Sequence, residues 1–463
     1  MPGNDAPALD GQKIMKYFSP AHLRSRNLRP PDLYEYYSDN FWFKTVDLEN
    51  QKINETLRGS HNADVVIVGG GYTGLSAAFH IRQKFPQKRI VLLEGACCGY
   101  GASGRNGGFC IATDLLGEVS TDPEEIRNRL EVSFYGMNFI KRMISEYGLE
   151  CDFQENGMLE VALNKKHVRR LEELRDYFAS FGLDTTLLQG KELESEIKSP
   201  RFVAGLREPY GAILNPAKLA RGMKRVVEAI GVDVFERTVV TRITPGRINH
   251  VDTELGEIRA PILVLALNAY ANKLGFFKNH VFPISVFQIA TEPLSETQLE
   301  SIGWRNRRGL SDMRTLFSYL VLTVDNRIVM GGSGFAYYDN DALCSGNDKA
   351  FTRRVIKDLF SFFPQLEGLR IEHAWGGTTT YTLSKTPAVG VLGDHQNIYY
   401  GVGLSEGVPT TQTFGRIIAD LMAGESNIFT DHYVVNNRIP YAGPTKLRGM
   451  FGRAAYWYWD KMG

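Results

Sequence analysis

Apolar and polar positions along the chain follow two periods, and the chain passes from one to the other repeatedly. Ala63–Val68 is a short β-branched run and reads as a buried strand. Leu75, Ala78, Phe79 and Phe85 then recur at helical spacing, and Arg89–Glu94 is a second apolar strand. Pro123–Tyr147 sets Ile126, Leu130, Phe134, Met137, Ile140 and Ile144 on one helical stripe, and Lys165–Phe181 also reads as a helix. Met158–Leu163, between them, reads as a strand. Asn215–Ile230 predicts a helix entered through Pro216, and Val232–Ile243 a strand pair or one bent strand. Ile262–Asn268 is apolar throughout, as a buried parallel strand is. Pro283–Thr291, Tyr319–Val324 and Arg327–Gly331 alternate, as antiparallel strands covered on one face do. Thr352–Phe363 reads as a helix, Asn397–Gly403 as a strand ending in a glycine turn, and Gln412–Gly424 as a helix stopped by its glycine.

The joint between the first strand and the first helix carries chemistry. It reads Gly69-Gly-Gly71-Tyr72-Thr73-Gly74. The first glycine permits the tight turn, the second lets backbone approach a pyrophosphate, and the third lets helix and strand pack closely. The helix start adds free N–H groups and a positive dipole end for the phosphates. Glu94 closes the second strand 25 residues after Gly69, where an acid accepts hydrogen bonds from a ribose diol. Strand, turn, helix, strand and terminal acid together define a bound dinucleotide. Shortly afterwards, Gly101-Ala102-Ser103-Gly-Arg105-Asn106-Gly107-Gly108 is too glycine-rich for a core element. Its N–H groups and guanidinium suit phosphate or ring oxygens. A second strand, glycine turn and helix follows more than 300 residues later, through Gly403-Leu404-Ser405-Glu406-Gly407. It brings another helix N-terminus to the far end of the same cofactor, which fits a long redox cofactor better than NAD.

Composition narrows the function. At 463 residues, 43% hydrophobic and 23% charged, the chain is an ordinary globular protein of two or three domains. Fifty-three basic against 52 acidic residues gives no case for nucleic acid. Five cysteines lack any CxxC or disulfide spacing, and adjacent Cys97 and Cys98 read as small buried residues. Nine histidines form no HxH or HExxH pair, so no metal is expected. Met1–Asn40 lacks a signal-type apolar region and no run reaches a membrane span, so a cytoplasmic protein is expected. The lead-in crowds Tyr34, Tyr36, Tyr37, Phe41, Trp42 and Phe43, which reads as an arm docked on its own protein. The tail 440–463 makes an apolar stripe of Leu447, Met450, Phe451, Ala454 and Tyr458 flanked by Lys446, Arg448, Arg453 and Lys461. Docking on the protein itself is the plainer reading, and a peripheral membrane or partner contact the sharper one.

With these residues in view, the sequence resembles the D-amino-acid-oxidase-like superfamily of FAD-dependent amine oxidoreductases, most closely the γ-glutamylputrescine oxidoreductases. The likeness runs from about Tyr34 and is carried by residues 69–78, 101–108, Leu267-Asn-Ala-Tyr270, Thr291-Glu-Pro-Leu294, 327–332 and 403–424. It implies a Rossmann-like FAD-binding α/β domain interleaved with an α+β substrate domain built on an antiparallel sheet. The segments divide as arm 1–60, FAD domain 61–115, 215–275 and 369–439, substrate domain 116–214 and 276–368, and tail 440–463. The resemblance places the FAD pyrophosphate at Gly69, Gly71 and Gly74, with Tyr72 and Thr73 beside it, and the adenosine ribose at Glu94. Gly101, Ala102, Ser103, Arg105, Asn106, Gly107 and Gly108 then run along the diphosphate, ribityl chain and ring. Val239 offers backbone to the adenine, and the 403–407 loop borders the pyrimidine edge.

Three departures from the family pattern sharpen the expectation. Relatives with covalent flavin carry a His in the first glycine block or a Cys near Thr378–Tyr381; this chain has neither, so FAD is expected to bind non-covalently. The Lys that grips a substrate carboxylate in sarcosine-type oxidases is absent from Gly407-Val-Pro409, which favours a longer amine. Glu406 stands in a Ser-Gly-His-Gly position; it either draws in a substrate ammonium or points to solvent. Trp375, Tyr381 and Tyr319 are pocket candidates against ordinary core packing, the first two flanking an expected Gly376-Gly-Thr turn near the flavin. The implied reaction passes a hydride from a neutral amine to FAD and leaves an imine that hydrolyses. Electrons go on to O2 or a quinone. An NAD-dependent dehydrogenase and a flavin-bearing assembly subunit without turnover are the rival readings.

Overall fold

The computed structural model describes residues 40–46, 52–338, 341–344, 346–404, 407–445 and 448. Tyr34, Tyr36, Tyr37, Ser405, Glu406 and the whole tail stripe of Leu447, Met450, Phe451, Ala454 and Tyr458 lie outside the described residues, and with them the Glu406 and tail-stripe expectations.

One six-stranded sheet runs, in spatial order, through Ala388–Leu392, Ile398–Val402, Ile262–Leu265, Val65–Val68, Ile90–Leu93 and Asp233–Phe235. Its neighbours pair in parallel, except the antiparallel edge Ala388–Leu392. Because both faces are covered, Val65–Val68 and Ile90–Leu93 are buried at every position. Val65, Ile67, Ile90 and Leu92 pack on one side with Leu75, Phe79, Phe139 and Phe414. Val66, Val68, Val91 and Leu93 pack on the other with Val240, Ile243, Val251 and Ile258 of a small four-stranded sheet. Helices Tyr72–Lys84 and Val408–Ala423 lie so close that a Cβ added at Gly415 would sit 2.3 Å from Ser76 Oγ.

The second layer is an eight-stranded sheet, ordered Ile371–Thr382, Val281–Thr291, Ile328–Gly332, Ser318–Leu322, Gly309–Asp312, Met158–Ala162, Ala204–Glu208 and Thr186–Leu188. Every pair is antiparallel except Gly309–Asp312 with Met158–Ala162. Side chains alternate between its faces. Leu159, Val161, Ile289, Leu310, Leu320 and Met330 pack with Val355, Leu359 and Phe362 of helix Lys349–Phe362. Their sequence neighbours Glu160, Gln288, Ser311, Tyr319 and Gly331 therefore point the other way.

Three local readings are corrected. The expected Gly-Gly-Thr turn at 376–378 is the middle of an unbroken strand, Ile371–Thr382. Its glycines serve close approach instead: a Cβ at Gly376 would meet Gly346 O at 2.6 Å, and one at Gly377 would meet Arg105 Cβ at 3.2 Å. Residues 232–243 form two strands in different sheets, Asp233–Phe235 and Val240–Thr244, separated at Arg237, whose φ is 51°. The last helix begins at Val408, four residues before the expected start at Gln412, because Pro at the first turn is pre-set for helical φ. It ends where expected, at left-handed Gly424 with φ 67°. The lead-in does dock: Phe41–Lys44 is a short helix with Phe41, Trp42 and Phe43 buried.

Candidate cofactor and substrate site

The turn after Val65–Val68 leaves no room for side chains. Gly69 has φ 112°, and a Cβ there would lie 2.4 Å from Ala266 O; a Cβ at Gly74 would lie 1.9 Å from Gly69 O. Gly74 is thus an internal spacer, while Gly69, Gly71, Tyr72 and Thr73 line an open cavity. The Tyr72 N–H at the helix start donates to Ser103 Oγ at 3.0 Å, and its hydroxyl donates to Pro216 O at 2.8 Å, away from the turn. Glu94 takes the Gly70 N–H at 2.7 Å and the Ala96 N–H at 2.9 Å. Burial pushes its carboxyl up to about 7 against those two donors, with the nearby Glu236 acting in the same direction. Thr238 N–H donates to Glu94 O at 2.8 Å, which sets Val239 beside Gly95 at the same end of the cavity.

Behind this end lies a buried ion cluster. Glu236 pairs with Arg221 and, at 3.4 Å, with Lys224, and takes the Cys98 N–H at 2.7 Å and the Asn54 N–H at 2.8 Å. Burial raises its pKa, but the two cations outweigh that and hold it below the usual carboxylate range. The cluster joins helix Pro216–Ala229, the cysteine loop and the lead-in.

The second glycine block is a shaped loop. It opens with a 3-10 turn, Ala102–Gly104. Asn106 bridges it internally, donating to Ala102 O at 3.1 Å and Ser103 O at 3.0 Å and accepting from Gly108 N–H at 2.9 Å. Arg105 is buried, donating to Tyr100 O at 3.0 Å and Gly376 O at 2.8 Å. Its own carbonyl accepts from Trp375 Nε1 at 3.0 Å and Gln288 Nε2 at 2.6 Å. Trp42 Nε1 donates to Asn106 O at 2.9 Å from the lead-in helix. Trp375 is therefore a buried strut for the loop and not a cavity wall.

Register explains what surrounds Gln288. Trp375 pairs with Gln288, Gln288 with Gly331, Gly331 with Tyr319, Tyr319 with Ser311, and Ser311 with Glu160. This is one polar row across six strands, all on the face turned from the apolar core. Gly331 has no side chain because Tyr319 lies over it: a Cβ would be 2.5 Å from the Tyr319 hydroxyl. The same ring closes on Gly107, 2.5 Å from its would-be Cβ. Burial pushes the Tyr319 hydroxyl up, with the Gln288 amide acting the other way. Gln288 Oε1 is buried and meets no donor at hydrogen-bonding geometry.

A single cavity of about 1650 Å³ connects these parts. It begins at Glu94 and Val239, passes Gly69–Thr73 and the loop at Gly101, Ala102, Ser103, Arg105, Asn106 and Gly107, and reaches Leu404 and Gly407. Tyr319 and Tyr381 line its substrate-sheet side, as do Gln288, Ser311 and Glu160. Gly74, Gly108, Gly376, Gly403 and Trp375 stand behind the wall and shape it. Leu404 is fixed by Thr379 Oγ1, which donates to its carbonyl at 2.7 Å, and by Asn268 Nδ2 at 3.1 Å. Gly407, φ 91°, caps the helix Val408–Ala423, whose first turn also faces the cavity. The sequence reading missed Gln288, Ser311, Glu160 and Asn268. Asn268 lay inside the Leu-Asn-Ala-Tyr block already singled out; for the others the signal was a polar residue on the off-beat of an alternating strand. Among the described residues no group of His, Cys, Asp and Glu is placed to hold a metal.

A parallel sheet that ends in two glycine turns and two helix N-termini, opening onto one long cavity against an antiparallel sheet, defines a two-domain dinucleotide-dependent oxidoreductase. The model of the FAD dependent oxidoreductase family matches residues 64–421. The chain belongs to that family. It is 33% identical over 421 residues to the γ-glutamylputrescine oxidoreductase of Escherichia coli (strain K12), covering 88% of this chain and 95% of that one. It is 29% identical over 408 residues to a probable oxidoreductase, OrdL, of Haemophilus influenzae, covering 85% and 90%. Among solved structures it is similar to the glycine oxidase of Geobacillus kaustophilus, with a TM-score of 0.68, 19% identity and coverage of 79% and 96%. That likeness concerns the fold.

Proposed function

We propose that the chain oxidises a small amine of the γ-glutamylputrescine type, with FAD bound non-covalently. The observation that carries this reading is that the dinucleotide cradle and the polar row of the substrate sheet open into one cavity. FAD, when bound, supplies the two-electron oxidant and the electron outlet to O2 or a quinone.

The cradle suits that group. Gly71 and Thr73 N–H groups at the helix start suit the pyrophosphate, Glu94 the ribose diol, and Val239 backbone the adenine. Leu404, Gly407 and the helix start beyond them suit the electron-rich edge of the ring, where a dipole end stabilises negative charge. Among the described cysteines only Cys344 lines the cavity, and it has no reactive setting: burial raises its pKa and its thiol donates to Gly346 O at 2.9 Å. Acid precipitation of the protein is therefore expected to release all of the FAD, measured as flavin absorbance in the supernatant.

On the substrate side, Tyr319 and Gln288 face the region beside Gly107, where they orient the amine and exclude water. An uncharged acceptor such as Gln288 Oε1 serves a neutral amine, the form able to give up hydride. The 33% identity to a γ-glutamylputrescine oxidoreductase supports this substrate type. We place the protein in the cytoplasm; among the described residues no helix is long and apolar enough to cross a membrane. The test is an anaerobic spectrum of the yellow protein with γ-glutamylputrescine, putrescine, N-methyl amino acids and D-amino acids. Bleaching by the first is expected, and the rate of recolouring in air separates oxidase from dehydrogenase. A flavin that no amine bleaches overturns amine oxidation and favours the assembly-subunit reading.

A further inference from the structure

Three successive carbonyls of the second glycine block are capped by side chains from elsewhere in the chain. Gly104 O accepts from Asn40 Nδ2 at 3.0 Å, and Asn106 O from Trp42 Nε1 at 2.9 Å. Between them, Arg105 O accepts from Trp375 Nε1 at 3.0 Å and Gln288 Nε2 at 2.6 Å. All four donor residues are buried, and Trp42 and Trp375 share one apolar cluster, so the last two carbonyls are drawn to the same side. These peptides are planar and trans, so each carbonyl turns the N–H of the next residue the opposite way. Within the block, Arg105 N–H donates to Ala102 O at 3.2 Å and Gly108 N–H to Asn106 Oδ1 at 2.9 Å. The N–H groups of Asn106 and Gly107 meet no acceptor among the described residues, and both residues line the cavity. Consecutive free N–H groups suit an electron-rich atom.

Two of those donors belong to the lead-in, which precedes the residues 64–421 matched by the family model. Asn40 does two jobs there. Its Oδ1 caps the helix Phe41–Lys44 by accepting the Trp42 N–H at 3.0 Å, while its Nδ2 reaches the loop. Phe43 closes on the same loop, since a Cβ added at Gly104 would lie 2.6 Å from its ring. Thr45 ties the lead-in to the next helix start, its Oγ1 accepting from Asn215 Nδ2 at 2.7 Å. Further along, the Leu57 N–H donates to Thr238 Oγ1 at 3.0 Å, beside the Glu94 end of the cavity. The lead-in is thus fastened at both ends of the cradle. Burial alone would be served by phenylalanine at position 42. What the indole N–H adds is the orientation of the Asn106–Gly107 peptide.

We propose that Asn40 and Trp42 are positioning residues for the redox cofactor. They hold the loop carbonyls outward, so that the Asn106 and Gly107 N–H groups are presented to the cofactor and stabilise the negative charge it takes up on reduction. A segment outside the family-matched domain thereby sets how readily the cofactor accepts electrons. This rests on the FAD reading above and is independent of which amine is oxidised.

The test reads the two-electron potential of the bound flavin at neutral pH by dye equilibration, which needs no substrate. Trp42→Phe keeps an aromatic ring and removes only the donor. Asn40→Ser keeps a helix-capping oxygen and loses the reach to Gly104 O. Phe41→Leu is the control, since Phe41 lies in the same helix but packs on His373 and Arg327. Trp42→Phe is expected to bind reduced FAD about tenfold less tightly relative to oxidised FAD, as one hydrogen bond implies, which lowers the potential by about 30 mV. Asn40→Ser should move it in the same direction and Phe41→Leu not at all, although all three lower the thermal midpoint. A Trp42→Phe protein that folds but loses its flavin, with Phe41→Leu still yellow, supports the role equally; if it does not fold, Asn40→Ser decides. Potentials unmoved in both variants, or moved equally by Phe41→Leu, overturn the role. Failure of the FAD reading looks different: the native protein is colourless and takes up no flavin.

Discussion

Adding one methyl group at Gly74 would place it 1.9 Å from the Gly69 carbonyl, and at Gly69 it would also require an L-residue at φ 112°. Gly69→Ala and Gly74→Ala are therefore expected to yield colourless protein, measured as flavin absorbance per chain after purification. Glu94 makes a subtler prediction. Its carboxyl is raised to about 7 by burial, above its ordinary value of 4.5, so the folded apo-protein binds this proton more tightly than the unfolded chain. That contribution to stability is complete below pH 4.5 and is lost as pH rises through about 7. Urea midpoints of the apo-protein should fall from pH 5 to pH 8, and Glu94→Gln should flatten the decline. Trp375→Phe removes one of two donors to the Arg105 carbonyl and leaves Gln288 in place. It should cost about 1 kcal/mol in denaturant unfolding while the flavin is retained.

Between elements, the Arg221–Glu236 pair fastens helix Pro216–Ala229 to the strand end at Phe235 and, through Asn54, to the lead-in. Arg221→Met leaves the buried Glu236 carboxylate with the more distant Lys224 as its cation and should destabilise by about 3 kcal/mol. Because Glu236 is held below its ordinary value, its stabilisation is present above about pH 4.5 and fades as pH falls through its folded value. Acid unfolding of Glu236→Gln should accordingly lack that component. Elements were also where sequence reading succeeded and failed for physical reasons. The strand, turn and helix at 65–84 were legible because each step is local: β-branched run, glycine spacing, helical stripe. The strand Ile371–Thr382 was not, since Gly376 and Gly377 mimic a turn and only the approach of Gly346 and Arg105 explains them. The polar row was invisible for a related reason. Gln288, Tyr319, Ser311 and Glu160 belong to four segments, and their alignment is a matter of register that no single segment encodes. Tyr319 stood out as an aromatic; Gln288 looked like any off-beat residue of a strand.

Across the whole molecule, the cavity is closed by parts drawn from nearly the full length of the chain. The cradle comes from residues 69–107, its Glu94 end is completed by Thr238 and Val239, and its far end by Leu404 and Gly407. Even Thr445 reaches the cavity, next to a buried pair in which Arg448 Nη2 meets Asp341 Oδ2 at 2.9 Å. The central strands of the parallel sheet are likewise joined over distance, Val65–Val68 to Ile262–Leu265 and that in turn to Ile398–Val402. On a ribosome, the first glycine turn emerges long before the strand that must lie beside it, and the last walls of the cavity, at Leu404, Gly407 and Thr445, emerge later still. Contacts of such high sequence separation form late and slowly. Nascent chains stalled before residue 398 should then carry no flavin when isolated with their ribosomes, whereas released full-length chains acquire it. Loading of the cofactor is then expected to wait for residues 398–411, and a product cut short before them to lack the means to generate a reduced flavin.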